Sequence, residues 1–327
     1  MKQYKKWMIL MTAVAAAIAL VLCLHCWKES KANKTFSLIY IPKTEDGTND
    51  FWTSLIAGTR IAAKEYGVSL EILAPAREQD VKQQNELLAV AVEKRPDAIL
   101  ISPSSFTESE ELLKEAKAQG IFVTYVDSYT ENEIQDLTVA TDNLEVGRKL
   151  GEYTTGLLDE NSRLAVVGHV KGVSTAVERE KGFREGLGKL AENIVEVVYC
   201  DSLYEKSYNL TKELLEKYPD LELIAGLNEY SSVGAARAVK DCGAENRVKV
   251  VGVDSSQEAV GLMEQGIFQG IVVQKAFKMG YLGVKETVRM LKGEEVEKNT
   301  DSGSELVTPE NMYTSEIEKL LFPFGGI

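Results

Sequence analysis

Apolar runs of strand length alternate with helical patterns along most of this chain, and this alternation constrains the fold more than any other feature. Ten runs fit buried strands: residues 36–41, 69–74, 97–102, 121–126, 136–141, 163–168, 194–200, 221–226, 248–253 and 269–274. Between most of them, apolar residues recur three and four positions apart, as in "TSLIAGTRIAAKEYG", which ends in Gly67 as a helix stop. The pattern predicts βαβ units, parallel sheets and helices on both sheet faces.

The same alternation restarts after Thr141, and 327 residues are enough for about two domains. We therefore predict an α/β fold of two doubly wound parallel-sheet lobes joined by a hinge, after one N-terminal transmembrane helix. The predicted boundaries are 1–35 for the anchor and linker, 36–140 plus 275–305 for the N-terminal lobe, and 141–274 plus 306–327 for the C-terminal lobe. The lobes are expected to be joined by crossings near residues 141, 274 and 306.

The N-terminal region predicts a membrane segment. Three lysines precede an uncharged run from Trp7 to Trp27, which is long enough to cross a hydrocarbon core and carries a Trp at each end. We expect an uncleaved anchor with the bulk of the chain on the extracytoplasmic face of a bacterial cell membrane. A lipoprotein acylated at Cys23 and a secreted protein with a cleaved signal peptide remain alternatives.

Composition and motifs exclude several classes of function. A formal charge of −13 opposes binding of nucleic acid through a basic surface. The two histidines, His25 and His169, stand far apart in the sequence. The sequence shows no nucleophile elbow, phosphate loop or clustered metal ligands. We therefore predict no enzyme, no catalytic residue, no metal site and no cofactor.

Polar side chains recur where the predicted strands end. They are Asn49 after the first strand, Ser102 and Ser104 after the third, Asp127 after the fourth, and Asn228, Glu229, Asp254 and Gln274 in the second half of the chain. Taken singly, such residues also serve as helix caps or turn residues. In doubly wound sheets, however, ligands bind beyond the carboxyl ends of the strands, so these side chains predict a site in the crevice between the lobes.

The chemistry of this set suits a neutral sugar. Carboxylates and amides can hold neighbouring hydroxyl groups, which both donate and accept hydrogen bonds. Phe51 and Trp52 stand beside Asn49 at the first strand-to-helix turn, and flat rings can cover the apolar faces of a pyranose. Packing of both rings into the lobe core is the alternative interpretation.

Six motifs in order resemble the periplasmic sugar-binding proteins of the ribose type, which share their fold with the ligand domain of lactose-repressor-like regulators. They are "TNDFWTSLIAG", "VTYVDS", "STAVEREKGF", "LIAGLNEYSSVGAARAV", "VVGVDSS" and "GIVVQKAFKMG". The resemblance covers roughly residues 36 to 313. It implies ligand contacts from Asn49, Phe51, Trp52, Asp127, Arg179, Asn228, Asp254 and Gln274, with Tyr204 as the aromatic residue of the second lobe. Ser128 stands where ribose binders carry an Arg, so the resemblance does not extend to ribose as the sugar.

Read without the family, Arg179 is an exposed helix residue or a salt-bridge partner. A transcription regulator would carry a DNA-binding motif where this chain has its membrane segment. We therefore expect binding of a monosaccharide, a pentose or a hexose, with hinge closure. The expected partner is an ABC permease, for sugar uptake, or a membrane sensor histidine kinase. The alternative is another small polar ligand, such as a polyol or a quorum signal, in signalling alone.

Overall fold

The computed structural model describes residues 35–322, which contain two six-stranded sheets. The strands are β1 (Ser37–Ile41), β2 (Ser69–Ile72), β3 (Ala98–Ile101), β4 (Phe122–Val126), β5 (Leu137–Ala140), β6 (Arg163–Gly168), β7 (Ile194–Tyr199), β8 (Leu221–Gly226), β9 (Lys249–Val253), β10 (Phe268–Gln274), β11 (Asn299–Asp301) and β12 (Ser304–Val307). The first sheet has the order β11-β5-β4-β3-β1-β2 and the second β12-β10-β9-β8-β6-β7. All pairs are parallel except β10 with β12.

Ten α-helices flank these sheets within the described part of the chain. They are α1 (Asp50–Tyr66), α2 (Val81–Glu93), α3 (Glu110–Ala118), α4 (Asn143–Thr155), α5 (Ser174–Leu187), α6 (Tyr204–Lys217), α7 (Glu229–Asp241), α8 (Gln257–Glu264), α9 (Ala276–Leu291) and α10 (Ser315–Leu321). A 3-10 helix, Gly188–Asn193, follows α5. The predicted helix stop at Gly67 is confirmed, since its φ of 65° is the left-handed conformation that ends many helices.

Each sheet and its helices form one lobe, and the two lobes exchange chain three times. After β5 the chain enters α4, which packs against α5 and β10 of the second sheet. After β10 it enters α9, which packs against α1 and β4 of the first sheet. The third passage lies between β11 and β12, which belong to different sheets. A hinge of this kind has three chain segments, at residues 141–142, 275 and 302–303.

Each lobe has its own apolar core between sheet and helices. In the N-terminal lobe this core includes Ile39, Leu88, Ile99 and Tyr125. In the C-terminal lobe it includes Val166, Phe183, Leu223 and Val251. Strands covered on both faces lose the inside–outside alternation, and all four residues of β3 are buried accordingly.

The helices α4 and α5 cross at unusually close range. A Cβ atom added at Gly182 would lie 2.0 Å from the carbonyl oxygen of Leu144, and one added at Gly147 would lie 2.2 Å from that of Arg179. Only glycine permits such an approach of two backbones. The crossing fixes the first turn of α5, which carries residues that face the other lobe.

The predicted fold class and all ten predicted strands are confirmed. The acidic stretch "EKNTDSGSE" at residues 297–305 is typical of a solvated loop in sequence, but in the structure it contains β11 and the start of β12. Both are short edge strands, which lack the apolar run of a central strand. Because Gln274 pairs with Ser304, the chain has reached the second sheet two residues before the boundary predicted at 306.

The predicted membrane run, Trp7 to Trp27, lies outside the described residues. Within residues 35–322 none of the helices has the length and apolar character needed to span a bilayer.

Candidate ligand-binding site

Two aspartates occupy equivalent places at the cleft, one in each lobe. Asp127 directly follows β4, and Asp254 directly follows β9. Both have left-handed backbones, with φ of 72° and 69°, and both donate their N–H to the next strand along the sheet. A non-glycine residue in this conformation is costly and is typical of functional sites. The turn directs each nearly fully buried carboxylate away from the strand end.

Asp127 forms a buried ion pair that the sequence analysis missed. Lys43 Nζ donates to Asp127 Oδ2 at 2.9 Å, and the two side chains are only 4% and 3% exposed. The same ammonium lies 5.9 Å from the centre of the Trp52 ring. Each charge of such a buried pair is compensated by the other, so the loss of either partner would leave a buried charge unpaired. Lys43 follows β1 by two residues, at the same sheet edge as the predicted residues, and this position is the signal that could have identified it.

Asp254 is the centre of a second cluster. Gln274 Nε2 donates to Asp254 Oδ1 at 2.8 Å, and Arg179 Nη1 lies 3.8 Å from Oδ2. Burial raises the pKa of the Asp254 carboxyl to about 6, although the Arg179 charge opposes this rise. The other amide atom of Gln274, Oε1, is buried without a hydrogen-bond partner among the described residues.

Arg179 is buried, at 3% exposure, and is not the exposed helix residue that its position in the sequence also allowed. Its Nε donates to Asn143 Oδ1 at 2.8 Å, and its Nη1 donates to the Leu227 carbonyl at 2.9 Å. These two bonds hold the guanidinium beside Asp254. Asn143 was not predicted as part of the site.

Phe51 and Trp52 pack against each other. Their ring centres are 5.1 Å apart and their planes are 85° apart, so the two rings do not form parallel walls with a sugar between them. Trp52 is 2% exposed, and its indole N–H donates to Glu78. The second oxygen of Glu78 accepts from Ser202 Oγ of the other lobe at 2.5 Å. Burial raises the pKa of the Glu78 carboxyl. Glu78 was not among the site residues predicted from the sequence.

Asn49 and Asn228 both cap helices. Asn49 accepts from the Trp52 N–H at 3.0 Å, and Asn228 accepts from the Ser231 N–H at 2.9 Å. The capping interpretation therefore holds for both residues. The amide nitrogen of Asn228 has a second contact, since Nδ2 donates to Ser202 Oγ at 3.3 Å. Capping aims both side chains at the cleft, because both helices begin there.

Glu229 joins the lobes. Its carboxylate accepts from the N–H groups of Phe51, at 3.0 Å, and Asp50, at 3.3 Å, so it faces the N-terminus of α1 from the opposite lobe. Tyr204 OH donates to the same carboxylate at 2.5 Å. Burial raises the pKa of Glu229 to about 8. Tyr204 therefore contacts the rim of the cleft, and its ring packs on Tyr230 at 4.7 Å.

Further contacts close the cleft along its rim. Tyr230 OH donates to Asp46 Oδ2 at 2.9 Å, and the Gln257 N–H donates to Asp50 Oδ2 at 3.1 Å. On another side, the Tyr129 N–H donates to Ser174 Oγ at 3.2 Å. The described residues thus form a closed conformation. We call the buried side chains of Lys43, Asp127, Arg179, Asp254 and Gln274 between the lobes the polar cluster.

His169 lies buried at the end of β6. Its Nε2 is 2.8 Å from Thr175 Oγ1, and burial lowers the pKa of the ring well below its usual value, so the imidazole is neutral. Across residues 35–322 we find no group of three or more His, Cys, Asp or Glu side chains placed to hold a metal ion.

Comparisons with known proteins agree with this geometry. A family described as "Periplasmic binding protein domain" matches residues 40–295. The ribose import binding protein RbsB of Haemophilus influenzae is 27% identical over 88% of this chain and 95% of its own length.

Two solved structures are also similar. A sugar transporter from Clostridium phytofermentans is 43% identical, with a TM-score of 0.80, over 84% of this chain and 99% of its own. A carbohydrate transporter solute-binding protein from Agrobacterium radiobacter, solved with D-arabinose, is 28% identical, with a TM-score of 0.84. The match covers 88% of this chain and 99% of the A. radiobacter chain.

Proposed function

The chain belongs to the periplasmic binding protein domain family, and from this premise we propose that it binds one monosaccharide, a pentose or a hexose, between its lobes. The lobes close on the sugar like a hinge. Members of the family whose names or titles state a ligand bind sugars such as ribose and D-arabinose. Their names also describe binding proteins for transport, and we propose that this chain likewise has no catalytic activity.

The observation that carries the proposal is the polar cluster buried between the lobes. Buried polar groups without partners are costly, and native structures rarely leave them so. Among the described residues Gln274 Oε1 is such a group, and Arg179 Nη1 approaches Asp254 Oδ2 to no closer than 3.8 Å. A sugar hydroxyl that donates to these acceptors would satisfy them, since a hydroxyl group both donates and accepts.

The proposed hydrogen-bonding residues divide between the lobes. Asp127 and Asn49 act from the N-terminal lobe, and Lys43 joins them through its ion pair with Asp127. From the C-terminal lobe act Arg179, Asn228, Asp254 and Gln274. Ligand contacts with both lobes favour the closed state, because only a difference in affinity between the open and closed conformations can shift that equilibrium.

The proposed apolar contacts come from Phe51, Trp52 and Tyr204. Since the first two rings are perpendicular, one ring presents its face to the sugar while the other presents an edge. Tyr204 approaches from the opposite lobe, with its hydroxyl on Glu229. This arrangement differs from one in which the flat faces of Phe51 and Trp52 cover both apolar faces of a pyranose.

The proposed destination of the sugar is an ABC-type importer, and the protein acts on the extracytoplasmic side, as members of the family do. The H. influenzae relative is named for import, and the A. radiobacter structure is titled as a solute-binding protein of a carbohydrate transporter. In this proposal the closed, loaded form is the one that the permease receives.

A second candidate function is signalling. The uncharged run from Trp7 to Trp27 favours a tethered protein. A tethered binder is confined to its neighbours in the membrane, so it is suited to present its closed form to a sensor histidine kinase. In that case a polyol or a quorum signal also fits as the ligand. Co-purification with a kinase would favour signalling, and co-purification with a permease would favour uptake.

Thermal unfolding of the full chain against pentoses, hexoses and polyols tests the proposed function. A ligand at about a thousand times its Kd stabilises the native state by about 4 kcal/mol, and the unfolding midpoint should rise by several degrees. Asp254→Asn should abolish this rise, whereas Asp159→Asn, at an exposed position of the same lobe, should not. The proposal would be overturned if none of the tested sugars raised the unfolding midpoint.

A further inference from the structure

A second cavity lies beside the proposed sugar site, at the hinge segment between β10 and α9. Its volume is about 540 Å³. Three of its lining residues, Phe51, Asp254 and Gln274, also belong to the proposed sugar site. The cavity is therefore continuous with the polar cluster, and it opens to solvent. We call it the side pocket.

Much of the remaining wall of the side pocket comes from three helices, and further lining residues are Ser255, Gln257, Val273 and Lys275. Ser54 lies on α1, Ala276 and Phe277 begin α9, and Leu320 lies on α10 with Phe322 just beyond it. Apolar side chains thus form much of the wall farthest from the polar cluster. Such a surface suits a ring with an apolar face, while Ser54, Glu316 and Lys319 of the same lining can form hydrogen bonds with hydroxyl groups.

The volume is larger than one monosaccharide needs. Pockets of roughly 300 to 1,000 Å³ hold ligands of drug size, which have more atoms than a pentose or a hexose. The polar groups that would orient a sugar ring, however, are concentrated at the Asp254 and Gln274 end. A sugar bound there leaves most of the side pocket unfilled.

We propose that the side pocket receives a substituent carried by the bound sugar, so that the protein accepts glycosides and disaccharides as well as free monosaccharides. This inference rests on the proposed function. The sugar ring binds in the polar cluster, with a hydroxyl donating to Gln274 Oε1. The substituent leaves the closed cleft between Phe51 and Ala276, and its apolar face packs on Phe277 and Leu320.

The lysines at this edge are compatible with a neutral, polar substituent. Lys275 is engaged with Glu305, whereas Lys278 and Lys319 have no ion-pair partner among residues 35–322. Their ammonium groups can donate to hydroxyl or ether oxygens at the solvent end of the substituent. A second pyranose ring combines such oxygens with an apolar face, as the pocket requires.

Isothermal titration of the full chain tests the proposal. The ligands are D-ribose, D-arabinose, D-galactose and D-fucose, with the methyl and phenyl glycosides of each, and the disaccharide lactose. We expect that for the sugar that binds, its phenyl glycoside binds with a Kd within about threefold of the free sugar, or tighter. Failure of all glycosides and of lactose, with a free sugar still bound, would overturn the side-pocket inference and leave the proposed function standing. Failure of every ligand would overturn the proposed function itself.

Variants whose new side chain fills the side pocket provide a second test, in which the affinities for the free sugar and for its phenyl glycoside are compared. Ser54→Trp should weaken the phenyl glycoside at least about tenfold and leave the free sugar unchanged, and Leu320→Trp, from the opposite wall, should act in the same way. Val90→Trp, at an exposed position on α2, is the matched control and should change neither ligand. Unfolding midpoints establish that each variant is folded. Equal weakening of free sugar and glycoside in both filled variants would contradict the proposal.

Discussion

The carboxylate of Glu229 accepts a hydrogen bond from the Phe51 N–H at 3.0 Å, across the cleft between the two lobes. Glu229 begins α7 in the C-terminal lobe, and Phe51 lies in the first turn of α1 in the N-terminal lobe. One lobe thus supplies an acceptor for the orphan N–H groups at a helix start in the other. An anion at that end also interacts favourably with the helix dipole. The bond exists only while the cleft is closed.

Glu229→Gln should therefore weaken sugar binding while the fold is kept. Above about pH 8 the Glu229 carboxyl is ionised, so a neutral amide in its place weakens the bonds from the Phe51 and Asp50 N–H groups, and a difference of about 1 kcal/mol corresponds to a Kd roughly fivefold higher. Titration calorimetry at about pH 9, where this carboxyl is ionised, measures the change. Glu213→Gln, at an exposed position on α6, should leave the Kd unchanged. Equal affinities of Glu229→Gln and the native chain would show that this bond contributes nothing to closure.

Stability should depend on pH through the same carboxyl. Burial raises the pKa of Glu229 to about 8 from an ordinary value of 4.5, so between these values the folded state holds more protons than the unfolded chain. The contribution of this group is fully present below about pH 4.5 and is lost as the pH rises toward 8. Chemical unfolding from pH 5 to pH 8 should show a downward slope that is shallower in Glu229→Gln. A slope identical in both proteins would contradict the raised pKa.

Lys43→Met should be strongly destabilising, because it leaves Asp127 charged and buried without its partner. Breaking a buried pair from one side costs about 3–5 kcal/mol. The double variant Lys43→Met with Asp127→Asn should recover much of this loss, since neither member of the pair is then a buried charge without its partner. Urea unfolding measures both. As a control, Lys94→Met breaks the exposed pair with Glu71 and should cost less than about 1 kcal/mol.

The crossing of α4 and α5 gives a prediction about packing. In Gly182→Ala the new methyl group would lie 2.0 Å from the Leu144 carbonyl oxygen, so the helices must separate. We expect a loss of about 1–3 kcal/mol in the free energy of unfolding. Gly261→Ala, within α8, meets no atom within 4 Å and should instead stabilise by up to about 1 kcal/mol. Denaturant unfolding of the two alanine variants, side by side, separates steric clash from helix propensity.

The fold could be predicted largely from the sequence because central parallel strands are buried on both faces. Runs such as residues 97–102 and 248–253 are therefore continuous and easily recognised. The edge strands β11 and β12 lack such runs, since their pairing is supplied by β5 and β10. Short polar segments of this kind look like loops until their neighbours are known.

The site was only partly predictable, for a related reason. Asp127 and Asp254 end strongly apolar strands, so their position at the sheet edge follows from the pattern alone. Lys43 and Glu78 lie in polar loops, where a charge is ordinarily solvated. Glu78 is buried where Ser202 of the second lobe bonds to it, and Lys43 is buried against Asp127 and the Trp52 ring of its own lobe. Contacts between segments far apart in the sequence leave no local pattern.

The three passages between the lobes determine how the molecule responds to a protease. Neither lobe is made of one continuous stretch of chain, because α9 returns to the first sheet after β10 and β12 returns to the second after β11. A single cut at residues 141–142 therefore gives two fragments that remain packed together, because α9 and β11 of the second fragment contact the first sheet, and the nicked protein should migrate as one particle under native conditions. The lobes are also inseparable as expression units, since the first 140 residues lack both β11 and the helix that covers α1.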